Sequence, residues 1–145
     1  MGIRSRVVAG IVAGLVLGIT GSAAAGAAPV RFPVDVVVHT EIGGGPNDFE
    51  GNIPGCETGT VLDVDPRATF TPWGGVFKGD KEFTCDSGEA GFVIKLTAQF
   101  GEGGAQGRWT LQSAWGDLEG LKGAGSLVGI PTEVGIDDVY TGYFR

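Results

Sequence analysis

The segment Phe92-Val93-Ile94-Lys95-Leu96-Thr97-Ala98-Gln99-Phe100, followed after a glycine-rich turn by Arg108-Trp109-Thr110-Leu111-Gln112-Ser113-Ala114-Trp115, decides the fold. In the first run Phe92, Ile94, Leu96, Ala98 and Phe100 alternate with Val93, Lys95, Thr97 and Gln99, a period of two over nine residues. Successive side chains of a strand point to opposite faces, so this is a strand with one buried face. The second run puts Trp109, Leu111, Ser113 and Trp115 on one side and Arg108, Thr110 and Gln112 on the other. The two are expected to pair as an antiparallel hairpin whose apolar faces meet. A register slip of one residue would exchange the faces and bury charge.

Outward from this hairpin, further strands are expected over residues 34–40, 60–64, 67–71, 76–85, 124–128 and 139–144. The last of these places Tyr140 and Phe144 on one face across Gly142. Residues 41–56, with Gly43-Gly44-Gly45-Pro46-Asn47-Asp48 and Gly51-Asn52-Ile53-Pro54-Gly55, have the composition of turns and are expected to form one long mobile loop. No stretch has the period of a helix longer than a turn or two. About eight short strands must hide their edges, and closure does this most completely. The expected fold is all-β, a single antiparallel barrel of roughly eight strands. A barrel of that size has a lumen that side chains can fill or that can hold one small ligand. Phe92, Phe100, Trp109, Trp115 and Tyr140, with Lys81 on one of its two readings given below, are the candidate lumen and ligand-binding residues.

Residues 1–25 are set apart as a cleavable signal peptide: Arg4 and Arg6 precede an apolar run, and Ala23-Ala24-Ala25 offers a small-residue cleavage pattern. Ala25-Gly26-Ala27 offers a second, so cleavage could extend to residue 27. The exported domain is then 26–145, with no stable membrane span once the signal is removed. Losing the two arginines takes the net charge from -7 to -9. An acidic chain lacks the basic face that displaces counterions from phosphates, so no nucleic-acid partner is expected. Leu, Ile, Val and Phe make up about a quarter of residues 26–145, above the floor of about 20% for a chain that can collapse.

Cys56 and Cys85 are the two cysteines. In an exported domain an even pair is expected as a disulfide, here tying the end of the 41–56 loop to the strand ending at Cys85. With no Cys-x-x-Cys and a single histidine, a zinc shell is not expected. His39, near a strand end, is expected at the surface or rim, and neither Ser87 nor Ser113 sits in a nucleophile elbow, so no catalytic residue is assigned. Lys81 has two readings. Strict alternation from Phe77 through Gly79 to Phe83 points its amine into the lumen, whereas a bulge at Gly79-Asp80 turns it outward; the bulge is the expected one. The carboxylates of Asp48 and Glu50, of Asp63 and Asp65 on one strand face, and of Asp137 and Asp138 are expected to be solvated rather than to hold calcium. No cofactor is expected.

At residues 77–85 (F-K-G-D-K-E-F-T-C), 116–127 (G-D-L-E-G-L-K-G-A-G-S-L) and 138–144 (D-V-Y-T-G-Y-F) the chain resembles secreted bacterial proteins of the allene oxide cyclase and dirigent barrel type. The resemblance covers most of residues 34–145, and its motifs are turn and strand-edge glycines, so it implies topology. Where such barrels tend to carry Gly-Thr-Gly ahead of the turn, this chain has Ala114-Trp115-Gly116. No catalytic residue of those families falls on a matching motif. Two functions are expected: non-enzymatic binding of a small apolar molecule or action through the surface, and, as the alternative, a cyclase or isomerase acting on an apolar molecule in the lumen.

Overall fold

The computed structural model describes residues 30–41 and 43–145; the signal peptide expected at residues 1–25 lies outside the described residues. Eight strands run β1 (Phe32–Glu41), β2 (Asn47–Gly51), β3 (Thr58–Thr71), β4 (Gly74–Cys85), β5 (Gly91–Gly101), β6 (Gly104–Trp115), β7 (Gly123–Pro131) and β8 (Gly135–Phe144). Each pairs antiparallel with its sequence neighbour, and β8 pairs with β1 along its whole length, from Phe32 opposite Phe144 to Glu41 opposite Gly135. The sheet therefore closes into an all-antiparallel barrel with no open edge. A 3-10 turn, Gly116–Leu118, links β6 to β7 and buries Leu118.

The hairpin of β5 and β6 carries the expected faces. Phe92, Ile94, Leu96, Ala98 and Trp109 are buried, while Lys95, Thr97, Gln99, Arg108 and Gln112 are exposed. Two bulges change what alternation implies elsewhere. Between Val93 and Ile94 the β6 register shifts, so that Ile94 faces Leu111 while Val93 faces Ser113. Trp115 thereby pairs with Gly91 instead of sharing the side of Trp109. It stands half-buried outside the lumen, which corrects its expected place there.

The second bulge lies in β3, where Val64 faces Asp80 and Arg67 faces Lys78, leaving Asp65 and Pro66 opposite Gly79. Asp65 adopts φ 47°, a conformation uncommon outside glycine, and Pro66 has no amide hydrogen to miss a ladder bond. A Cβ on Gly79 would come 3.1 Å from both the Pro66 Cα and the Phe77 ring, so glycine here lets the bulge close over the neighbouring strand. The bulge expected at Gly79-Asp80 is thus on the partner strand; β4 stays in continuous register with β5 from Gly75 to Thr84. Residues 60–64 and 67–71 are one bent strand rather than two.

The expected loop at 41–56 contains β2, which pairs with both β1 and β3. Phe49 supplies the reason, being 2% exposed and packed edge-on against Phe83 at 5.3 Å. Asn52 braces the following turn by accepting from the Asp35 amide at 2.8 Å and donating to the Pro33 carbonyl at 3.1 Å. Beyond it Ile53 is buried, and Cys56 is bonded to Cys85 in a disulfide.

Candidate functional site

The strand ends divide the barrel into two unlike ends. At one, Cys56, Cys85, Ile53, Ala90 and Leu118 form an apolar, disulfide-tied plug. Above it the lumen is filled by interlocked rings. Phe83 stacks on Phe92 at 4.5 Å, Tyr140 meets Phe83 edge-on at 5.7 Å, and Phe144 packs edge-on against Phe92 and Trp109. The void that Phe92, Trp109 and Tyr140 help to line is about 10 Å³, room for at most a single water. Three of the candidate lumen residues therefore meet as packing.

Toward the other end the lumen becomes polar. Lys81 is 5% exposed and its Nζ donates to Asp63 Oδ1 at 2.7 Å, lying 5.3 Å over the Phe77 ring. The unbroken β4 register points it inward, against the expected outward turn. Asp63 shares this inner face, while Asp65 is carried off by the bulge, so the two do not stand on one face as expected. Asp137 and Asp138 separate as well. Asp137 Oδ1 meets His39 Nδ1 at 2.9 Å on the outer wall, where His39 is exposed as expected. Asp138 faces inward and accepts from the Thr40 hydroxyl at 3.1 Å.

Burial raises the Asp138 carboxyl above its ordinary value, with nearby Lys81 and the Thr40 hydrogen bond opposing and the Asp63 and Asp137 charges adding to the rise. Burial also pushes the Tyr140 phenol well up, with help from the charges of Asp138 and Asp63. The Tyr140 hydroxyl is enclosed and has no hydrogen-bond partner. One ammonium, two carboxylates and a phenol thus share a small polar floor. Solvent reaches it, since the Asp63 side chain is 40% exposed. Sequence reasoning named Tyr140 and, on one of two readings, Lys81 for the lumen, set Asp63 and Asp138 aside as solvated carboxylates, and passed over Thr40. Their signal was parity: Asp138 lies two residues from Tyr140, Asp63 two from the buried Val61, and Thr40 two from Val38.

The rim beyond this floor is aromatic. Phe100, expected in the lumen, lies half-buried at the strand end and meets Phe70 edge-on at 5.6 Å. Phe70 is 75% and Trp73, at the tip of the β3–β4 hairpin, 91% exposed. Between the tips of this hairpin and the β5–β6 hairpin runs a groove lined by Trp73, Phe100 and Glu102. Among the described residues no three His, Cys, Asp or Glu come together to hold a metal ion, and no helix is long and apolar enough to cross a membrane. No protein-family model and no curated protein matches the chain.

The raised Asp138 carboxyl has a measurable consequence. Its proton is held more tightly in the folded chain than in the unfolded one, so stability falls as pH rises from the ordinary value of 3.8 through the folded value, and the penalty is complete above it. Asp138→Asn keeps an acceptor for Thr40 and removes the penalty. The variant is expected to melt higher than the wild type at pH 7 and together with it at pH 3. A gain of equal size at both pH values would show that titration of Asp138 is not its source.

Proposed function

We propose that the protein is an exported barrel, related in fold to the allene oxide cyclase and dirigent type, that binds a small apolar molecule at its open end without transforming it. The observation that carries this reading is the contrast between a lumen filled down to about 10 Å³ and a rim with exposed aromatic rings. Isolated exposed apolar residues are ordinary, but here Phe70, Trp73 and the half-buried Phe100 gather at the tips of adjoining hairpins. The acidic balance of the chain favours an uncharged ligand over an anionic one. The buried disulfide fits an oxidising compartment, and a signal peptide over residues 1–25 accounts for how the chain reaches it.

Of the three tryptophans, Trp73 is exposed, Trp115 half-buried and Trp109 buried, so a titration followed by indole fluorescence reads the rim. Uncharged naphthalene-based probes are expected to quench Trp73 and to raise the melting temperature by mass action, by the equivalent of about 2.7 kcal/mol at a hundredfold excess over Kd. Trp73→Ala and Phe70→Ala should lose the response with stability changed by no more than about 0.5 kcal/mol, as for other surface positions. A panel that neither quenches nor stabilises the wild type defeats the proposal.

One observation favours the enzymatic alternative, a cyclase or isomerase. Asp138, with its raised carboxyl on a floor that solvent reaches, could exchange protons with a substrate bound there. Conversion of a bound probe, abolished by Asp138→Asn with binding retained, separates this reading from simple binding.

A further inference from the structure

Seven large apolar side chains stand exposed among the described residues, and four of them, Phe70, Trp73, Ile130 and Val134, lie at one end of the barrel. They belong to the β3–β4 and β7–β8 hairpins, whose turns are both at the end away from the disulfide plug. In a closed ring of eight strands these turns are four strands apart, on opposite sides of the mouth. With adjacent strands about 4.8 Å apart and tilted, the span between them is roughly 16 Å. The other end exposes one of the seven, Val30, among charged turn residues such as Glu57, Asp86 and Glu119. The barrel is therefore amphipathic along its axis.

The two turns are also built alike. One reads Thr71-Pro72-Trp73-Gly74 and the other Thr132-Glu133-Val134-Gly135, a threonine two residues ahead of the apolar side chain and a glycine behind it. In each, the threonine hydroxyl oxygen accepts from the amide of the apolar residue at 3.4 Å. The Thr71 hydroxyl also donates to the Gly74 carbonyl at 3.1 Å, and the Thr132 hydroxyl accepts from the Gly135 amide at 3.0 Å. Pro72 has no amide hydrogen to satisfy. The tips thus present apolar side chains on a backbone whose amides are paired from within, the condition for entering a medium that supplies no hydrogen bonds.

Charge narrows the occupant. Glu41, Glu102 and Glu133 stand exposed at the same end, and no Lys or Arg lies within three residues of any of its four turns. Two copies meeting mouth to mouth would set carboxylates against carboxylates, and an anionic lipid would meet the same repulsion. A zwitterionic headgroup presents its ammonium outermost and removes it. We propose that this end docks on the surface of a zwitterionic lipid bilayer, with Trp73 and Val134 entering the interface from opposite sides of the mouth. The glutamates meet the headgroup ammonium groups. Tryptophan suits that depth, with an apolar ring and one polar N–H. A small molecule in the groove beside Trp73 would leave the β7–β8 tip uncovered, so the docking surface extends beyond the rim ligand's site.

Co-sedimentation of the folded protein with phosphatidylcholine vesicles, read alongside tryptophan emission, tests this, with phosphatidylglycerol vesicles run in parallel. Phosphatidylcholine is expected to shift the Trp73 emission to the blue, and lipids brominated along the acyl chain to quench it. Phosphatidylglycerol should bind about fivefold more weakly at low salt, the gap closing as salt is added. Trp73→Ala and the double variant Ile130→Ser/Val134→Ser should each weaken vesicle binding about tenfold, the equivalent of burying one apolar side chain. The double variant lies outside the groove beside Trp73 and should keep the naphthalene response, so failure of either reading leaves the other standing. Val134→Trp should tighten vesicle binding about fivefold, a gain that lost folding could not produce. The proposal is overturned if the wild type fails to sediment with phosphatidylcholine at millimolar lipid, or if the double variant binds vesicles as the wild type does. Tighter binding to phosphatidylglycerol would also overturn it, as would a lipid-free dimer that Trp73→Ala abolishes, which would assign this end to a second copy of the chain.

Discussion

Trp109→Ala is expected to lower the stability of the barrel by about 3 to 5 kcal/mol, the range for deleting a large buried aromatic side chain. The indole is 2% exposed and meets Phe144 edge-on at 5.9 Å. Its Nε1 donates to the carbonyls of Ser126 and Thr141 at 3.1 and 3.2 Å, joining β6 to β7 and β8. The loss should lie at the high end because the site cannot collapse. Gly125 and Gly142 face the ring so closely that a Cβ on either would come within 2.6 or 2.7 Å of it. Two glycines have no side chains to relax into the hole. Denaturant unfolding, with the slope unchanged so that the midpoint reports stability, gives the measurement. A loss below about 1.5 kcal/mol would mean that the lumen is not packed around this residue.

The second large effect is expected on removing the disulfide. Cys56 and Cys85 are separated by 29 residues, and in the chain-entropy view a loop of that length restricts the unfolded state by about 3.5 kcal/mol. The bond ties the turn after β2, with its buried Ile53, to the end of β4. The double variant Cys56→Ala/Cys85→Ala should therefore lose about that much stability while keeping its far-ultraviolet circular dichroism, since the ladders lie outside the bond. Without reductant, neither thiol of the wild type should be alkylated. Ready labelling of both in the folded protein would contradict the pairing.

Strand type was legible wherever one face is buried without interruption. Phe92 to Phe100 and Val34 to Val38 alternate in the sequence, and the sets Phe92, Ile94, Leu96, Ala98, Phe100 and Val34, Val36, Val38 are buried or half-buried on the lumen side. Even the strand count came out at eight, though by two compensating differences: the bent β3 read as two strands, and β2 as loop. Residues 47–51 carry weak strand propensity and hold as a strand because two neighbours supply their hydrogen bonds and Phe83 receives Phe49.

By itself the sequence determined the period of two, and with it the antiparallel sheet, the water-facing set Lys95, Thr97, Gln99 and Arg108, and the pairing of the two cysteines. Only the tertiary structure decided which way Lys81, Asp63, Asp138 and Trp115 point, and that the lumen is full. The reason is physical. Alternation is a property of one strand, readable from its own residues, but a bulge belongs to two strands and is placed by what closing the barrel demands of their register. Gly79 announced the β3 bulge from the strand opposite it, and the β6 bulge, with no glycine beside it, sent Trp115 to the outer wall. Lumen volume likewise depends on how rings from five strands interlock, a sum over contacts between β4, β5, β6, β8 and β2 that no single segment contains.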